Sequence, residues 1–61
     1  MSPQEHAAQH EARIRYYRRA LALAVEGENL RRIDYCTEAL TRITYDYQAV
    51  RKARGWDKTD A

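Results

Sequence analysis

The chain has 61 residues, with eleven Lys and Arg against nine Asp and Glu, and a formal charge of +2. A chain this short buries only about 60% of its unfolded surface, so a second chain often stabilises it. The single cysteine excludes an internal disulfide and favours a reducing compartment. No apolar run approaches the roughly 20 residues of a membrane span. We therefore expect a cytoplasmic protein that does not enter membranes.

The first predicted helix runs over 3–26. Ser2 is a suitable N-cap, Pro3 fits the first helical position, and Glu5 completes a capping box. Within the helix, inward-facing residues recur at spacings of three and four, which is typical of a helix packed against another helix. These positions are Ala7, His10, Ile14, Tyr17, Leu21 and Ala24.

A short turn and a second helix over 30–54 follow. Gly27 suits the left-handed position after a helix, and Asn29 is a good N-cap for the next one. The second helix repeats the three-and-four spacing, and its inward positions are Ile33, Cys36, Leu40, Ile43, Tyr47 and Val50. Gly55 ends this helix, and we expect Trp56 to fold back on its last turn.

The predicted fold is all-α, an antiparallel hairpin of two long helices in one domain over 1–56, with 57–61 as a frayed polar tail. The first helix is also apolar on the side away from its seam, where Leu23 lies. One partner helix cannot cover both sides. We therefore expect a homodimer that forms a four-helix bundle. Its predicted interface is Tyr16, Tyr17, Ala20, Leu21, Leu23 and Ala24.

The stretch 27–40 resembles the second half of a tetratricopeptide repeat. The matching positions are Gly27, Cys36, Ala39 and Leu40, with Tyr16 and Ala20 upstream. Arg32 and Asn29 depart from the repeat pattern, and Thr44 stands where its closing proline belongs. The resemblance covers about half of the chain, whereas a solenoid needs about three repeats. It implies a helical hairpin and does not imply membership of the family.

No pattern of residues indicates catalysis, a cofactor or a metal site. His6 and His10 are four residues apart, but no Glu follows His6 as a metalloprotease motif requires. We interpret them as polar positions, with His10 packed at the end of the bundle. Cys36 lies in the apolar seam and is interpreted as a core residue, with an interchain disulfide or a reactive thiol as the alternatives. The chain is therefore not expected to be an enzyme.

Arginine and tyrosine side chains carry the functional hypotheses. A helical scaffold with exposed Arg and Tyr is typical of a protein-binding regulator, adaptor or inhibitor. The alternative is a nucleic-acid-binding dimer, in which arginines contact phosphates and tyrosines stack on bases. The first is preferred because the charge is nearly balanced. The predicted partner-binding residues are Arg15, Arg18, Arg19, Arg31, Tyr35, Arg42 and Tyr45, with Arg32 added for nucleic acid.

Overall fold

The computed structural model describes residues 1–56, and the predicted polar tail at 57–61 lies outside them. Two helices of 24 residues, α1 (Pro3–Glu26) and α2 (Leu30–Ala53), pack against each other through a short turn. The predicted all-α hairpin is therefore confirmed, with α2 ending one residue earlier than expected. Each helix is about 36 Å long at 1.5 Å per residue. Together they form a rod measuring 42 × 19 × 16 Å.

The start of α1 has the predicted capping box. The Glu5 backbone N–H donates to Ser2 Oγ at 3.1 Å, and the Ser2 hydroxyl donates to Glu5 Oε1 at 3.3 Å. Pro3 occupies the first turn, where its missing N–H leaves no intrahelical bond unmade. These contacts fix the first turn of α1, which carries His6 and so positions one end of the candidate surface.

The turn between the helices corrects one prediction. Gly27 has φ −85°, and the left-handed position belongs to Glu28, with φ +54°. The Asn29 N–H donates to the Ala24 carbonyl at 2.9 Å, and the Glu28 N–H donates to the Val25 carbonyl at 3.1 Å. This pair of bonds defines a Schellman motif in which Gly27 is still the C-cap. The positive φ therefore falls one residue later than the glycine.

Both ends of α2 follow the sequence signals. The Asn29 side chain accepts from the Arg32 N–H at 3.2 Å, as predicted for an N-cap. At the other end Gly55 has φ +74° and terminates the helix. The Trp56 carbonyl accepts a bond from Arg51 Nη2 at 3.4 Å, and the Arg54 guanidinium lies 5.3 Å from the Trp56 ring centre. Trp56 thus returns over the last turn of α2.

The two predicted seams meet along the length of the hairpin, but they enclose little volume. Within residues 1–56 only Ala24 and Cys36 are buried, at 4% and 1% exposure. The other seam residues are half-buried, apart from Val50, which is exposed. Cys36 is therefore a core residue, as interpreted from its place in the seam. Two helices alone leave the edges of this seam open to solvent.

The position of the left-handed residue predicts how the turn responds to substitution. Glu28→Gly is expected to stabilise the fold by about 0.5–1 kcal/mol, because a β-carbon is disfavoured at positive φ. Gly27→Ala is the matched control and should not destabilise, since its added Cβ would lie 3.5 Å from the nearest atom, the Leu23 carbonyl oxygen. Urea unfolding of both variants measures the change in the free energy of unfolding. A destabilised Gly27→Ala with an unchanged Glu28→Gly would contradict the observed turn.

Candidate interaction surface

One broad face of the hairpin carries a shallow groove between α1 and α2, here called the groove face. Three sections follow one another along it. The loop-end section lies beside the turn, the middle section lies between Tyr17 and Ala39, and the open-end section lies beside His6 and Tyr47. Ile43 and Asp46 line both the middle and open-end sections, so the groove is continuous there.

The loop-end section has the largest volume of the three, about 530 Å³ against about 120 Å³ at the open end. Tyr16 and Leu23 line it, and they remain 67% and 60% exposed. Ala20 lies between them on the same side of α1 and gives the groove a small-residue floor. Arg19 and Arg32 form its charged rim, and no acidic side chain lines it. The loop-end section therefore has an apolar floor and a positively charged rim.

The middle section joins aromatic rings to a mixed set of charges. The Tyr16 and Tyr17 rings meet edge to face at 5.2 Å, and the Tyr17 ring lies 6.4 Å from that of Tyr35. A side-chain hydrogen bond with Tyr35 raises the pKa of Tyr17 above its usual value. Arg42 Nη2 lies 3.3 Å from Glu38 Oε1, which leaves Asp46 without an ion pair in residues 1–56.

The open-end section contains an aromatic stack that the sequence analysis did not foresee. The Tyr47 ring stacks on the imidazoles of His10 and His6, at centroid distances of 4.0 and 4.8 Å. Trp56 lies 5.5 Å from His6, and the Arg51 guanidinium lies 5.4 Å from the Tyr47 ring. His10 therefore packs against α2 at the open end of the hairpin, and the four-helix bundle at whose end it was predicted to pack stays a prediction. His6 is predicted to be an ordinary polar position, whereas its Nδ1 is buried and has no hydrogen-bond partner within residues 1–56.

The packing of His10 changes its titration. Burial lowers the pKa of His10 below its usual 6.5, and the nearby His6 and Arg13 lower it further, while Glu11 opposes them. The neutral imidazole is therefore the form that suits the stack. Within residues 1–56 no group of three or more His, Cys, Asp or Glu side chains is arranged to hold a metal ion.

The predicted site residues separate into two sets. Three predicted partner-binding residues line the groove face, namely Arg19, Tyr35 and Arg42. The other four are exposed elsewhere on the helices, and they are Arg15, Arg18, Arg31 and Tyr45. Of the predicted dimer interface, Tyr16, Ala20, Leu23 and Ala24 line the loop-end section, although Ala24 is itself buried. Tyr17 lines the middle section, and Leu21 is half-buried along the seam.

Comparison with protein-family models gives no match, and no curated protein or solved structure matches the chain either. The resemblance to half of a tetratricopeptide repeat therefore extends to the helical hairpin and no further. In keeping with the absent proline, α2 continues through Thr44. Neither α1 nor α2 has the length and apolar character needed to cross a bilayer.

The lowered pKa of His10 predicts acid-sensitive stability. Because the folded-state pKa lies below the unfolded value, the contribution of His10 is fully present above pH 6.5 and is lost as pH falls through the folded pKa. Thermal melts from pH 7.5 to pH 5 should therefore show a smaller decrease in Tm for His10→Gln than for the unmodified chain. An equal decrease in Tm for the two proteins would show that His10 is not the source of the acid sensitivity.

Proposed function

We propose that this chain is a small non-enzymatic interaction protein that acts by binding another protein, as a regulator, adaptor or inhibitor. The observation that carries the proposal is the exposure of Arg and Tyr side chains outside the groove face. Tyr45 is 72% exposed there, and Arg15, Arg18 and Arg31 are exposed as well. Arg and Tyr are also the side chains enriched at the energetic centres of protein interfaces.

We further propose that the chain forms a homodimer, a four-helix bundle in which two groove faces meet. Within residues 1–56 the hairpin buries only Ala24 and Cys36, so its own core contributes little stability. Covering Tyr16, Ala20 and Leu23 with a second copy would add apolar burial at about 25 cal/mol per Å². In a four-helix bundle the helices pack nearly parallel or antiparallel around one shared apolar core. The proposed compartment is the cytoplasm, where the Cys36 thiol stays reduced.

The outer surface of such a dimer is left for the partner protein. Arg31 and Tyr45 lie away from the groove face, and Tyr45 is 72% exposed. Arg15 and Arg18 are exposed on α1 as well. These side chains make no ion pair within residues 1–56, so they are available for contact without breaking an internal interaction. We place partner binding on this outer surface and self-association on the groove face.

Self-association is tested by placing a charge on each of two exposed apolar positions of α1. Leu23→Glu puts a carboxylate on the groove face and is expected to convert the dimer to monomer, or to unfold the chain if the hairpin cannot stand alone. Val25→Glu is the matched control, since Val25 is 55% exposed and lines no section of the groove. Sedimentation equilibrium at micromolar concentration gives the masses.

Two results of that experiment would contradict the dimer. The first is a monomer mass for the unmodified chain together with a sharp thermal transition, which would show that the hairpin is stable alone. The second is an equal loss of dimer in both variants, which would show that the groove face is not the interface. A dimer retained only by Val25→Glu supports the proposal.

A nucleic-acid-binding dimer is the second candidate. It is favoured by the exposure of Arg15, Arg18 and Arg19 without any internal ion pair in residues 1–56. Unpaired arginines on one helix can contact phosphates, and the nearby Tyr16 offers an aromatic surface for stacking. The proposed protein-binding role predicts instead that affinity for nucleic acid is negligible at physiological salt.

Titration of short RNA and DNA, duplex and single-stranded, at two salt concentrations separates the two roles. For nucleic-acid binding, the Arg15, Arg18 and Arg19 triple substitution to Ala should reduce the salt slope of log affinity by about 0.9 per lost contact on duplex. No binding at the lower salt eliminates this candidate. Nanomolar binding at the higher salt, abolished by the triple variant, overturns the protein-binding role.

A further inference from the structure

The charges on the groove face are distributed unevenly between its two ends. Arg19 and Arg32 line the loop-end section without an acid, so its formal charge is +2. Arg13 and Asp46 line the open-end section, and their charges cancel. Neither Arg32 nor Asp46 has an ion-pair partner within residues 1–56. The groove thus has one positive end and one end that offers an unpaired carboxylate.

We propose that a second copy of this chain covers the groove face in the opposite direction, here called head to tail. The turn of each copy then lies over the open end of the other, and Arg32 of one copy faces Asp46 of the other. The proposal rests on the homodimer proposed above and determines its topology. If the two turns met at the same end, the +2 sections of both copies would face each other in a partly desolvated interface. Like charges brought together there oppose association. Head-to-tail pairing instead sets each +2 section against a neutral section that contains a free carboxylate.

The spacing along α2 fits this arrangement. Arg32 and Asp46 are 14 residues apart, which is about 21 Å along the helix axis. Ala39 is the residue midway between them, and it lines the middle section of the groove. A two-fold axis across the face at Ala39 therefore brings each Arg32 opposite an Asp46 at the same time. A small side chain at the crossing point also lets two helices approach closely.

The spacing along α1 gives the same axis level. Tyr17 lines the middle section together with Ala39, so the two residues lie at about the same height. Inverting α1 about Tyr17 places Leu23 opposite position 11, which is one residue, or about 1.5 Å along the axis, from Ala12. Ala12 also lines the groove face, beside Tyr16. Leu23, which projects from the face, thus meets a small residue that leaves room for it. Both helices therefore support one register.

The separation of the two turns reports the topology directly. Glu28→Cys, carrying a nitroxide label, places one probe in the exposed turn of each copy. Cys36 is 1% exposed, so the unmodified chain treated in the same way is the control for labelling. Head-to-tail packing places the turns roughly 30 Å apart along the helix axis. Turn-to-turn packing brings them to about 10 Å, one interhelical spacing. Pulsed electron–electron double resonance, which measures the distance between two nitroxide labels, distinguishes the two topologies.

Charge reversal tests the residue pair itself. Arg32→Glu and Asp46→Arg should each weaken the dimer by roughly tenfold at low salt, because two symmetric attractive contacts become repulsive. The double variant should return to within about threefold of the unmodified chain. Glu is compatible with position 32, the third residue of α2, where acids favour the helix start. Arg18→Glu is the control, because it makes the same charge change away from the groove.

The outcomes separate this inference from the homodimer on which it rests. A monomer by sedimentation overturns both. A dimer whose labels lie close together, or whose double charge variant is as weak as the two single variants, overturns the head-to-tail topology and leaves the homodimer intact. A long label separation together with restored affinity in the double variant supports the proposed pairing of Arg32 with Asp46.

Discussion

The scarcity of buried apolar surface is the constraint on which the rest of this structure depends. Two amphipathic helices meet along one seam. Within residues 1–56 this seam buries only two small side chains, Ala24 and Cys36, both in the half nearer the turn. Larger residues such as Ile14 and Leu40 are shielded on one side and remain half-buried. Most stability of helices in proteins comes from packing of an apolar face rather than from helix propensity. Any surface that covers the open edge of the seam therefore adds to the stability of the hairpin.

The ends of the hairpin compensate in part for this thin core. The capping box at Ser2 satisfies backbone donors at the start of α1, and Asn29 does the same for α2. At the open end, where the chain has no connecting turn, Tyr47 stacks on both histidines. Aromatic stacking of this kind adds to the energy of area burial alone. The hairpin is thus held at one end by a hydrogen-bonded turn and at the other by packed rings.

The helices and their seams could be predicted from the sequence because both follow from local spacing and end signals. The turn could not be assigned in detail, because Gly27 and Glu28 are adjacent and either can occupy the left-handed position. The hydrogen bonds from Glu28 and Asn29 back to α1 decide in favour of Glu28. The stack of Tyr47 on His6 and His10 joins positions about 40 residues apart, and only the antiparallel packing of the helices brings them together. The unequal charge of the groove ends depends on that packing in the same way.

The proposed dimer has a consequence for how a partner could be bound. A head-to-tail pair related by a two-fold axis presents every outer side chain twice, including Tyr45 on α2 and Arg15 on α1. Two identical contact surfaces on a rigid rod favour a partner that is itself two-fold symmetric or that carries two copies of one binding segment. Occupying the second surface is then intramolecular, which raises avidity without any new kind of contact. A weak contact centred on a few exposed tyrosines and arginines would in this way suffice for stable binding.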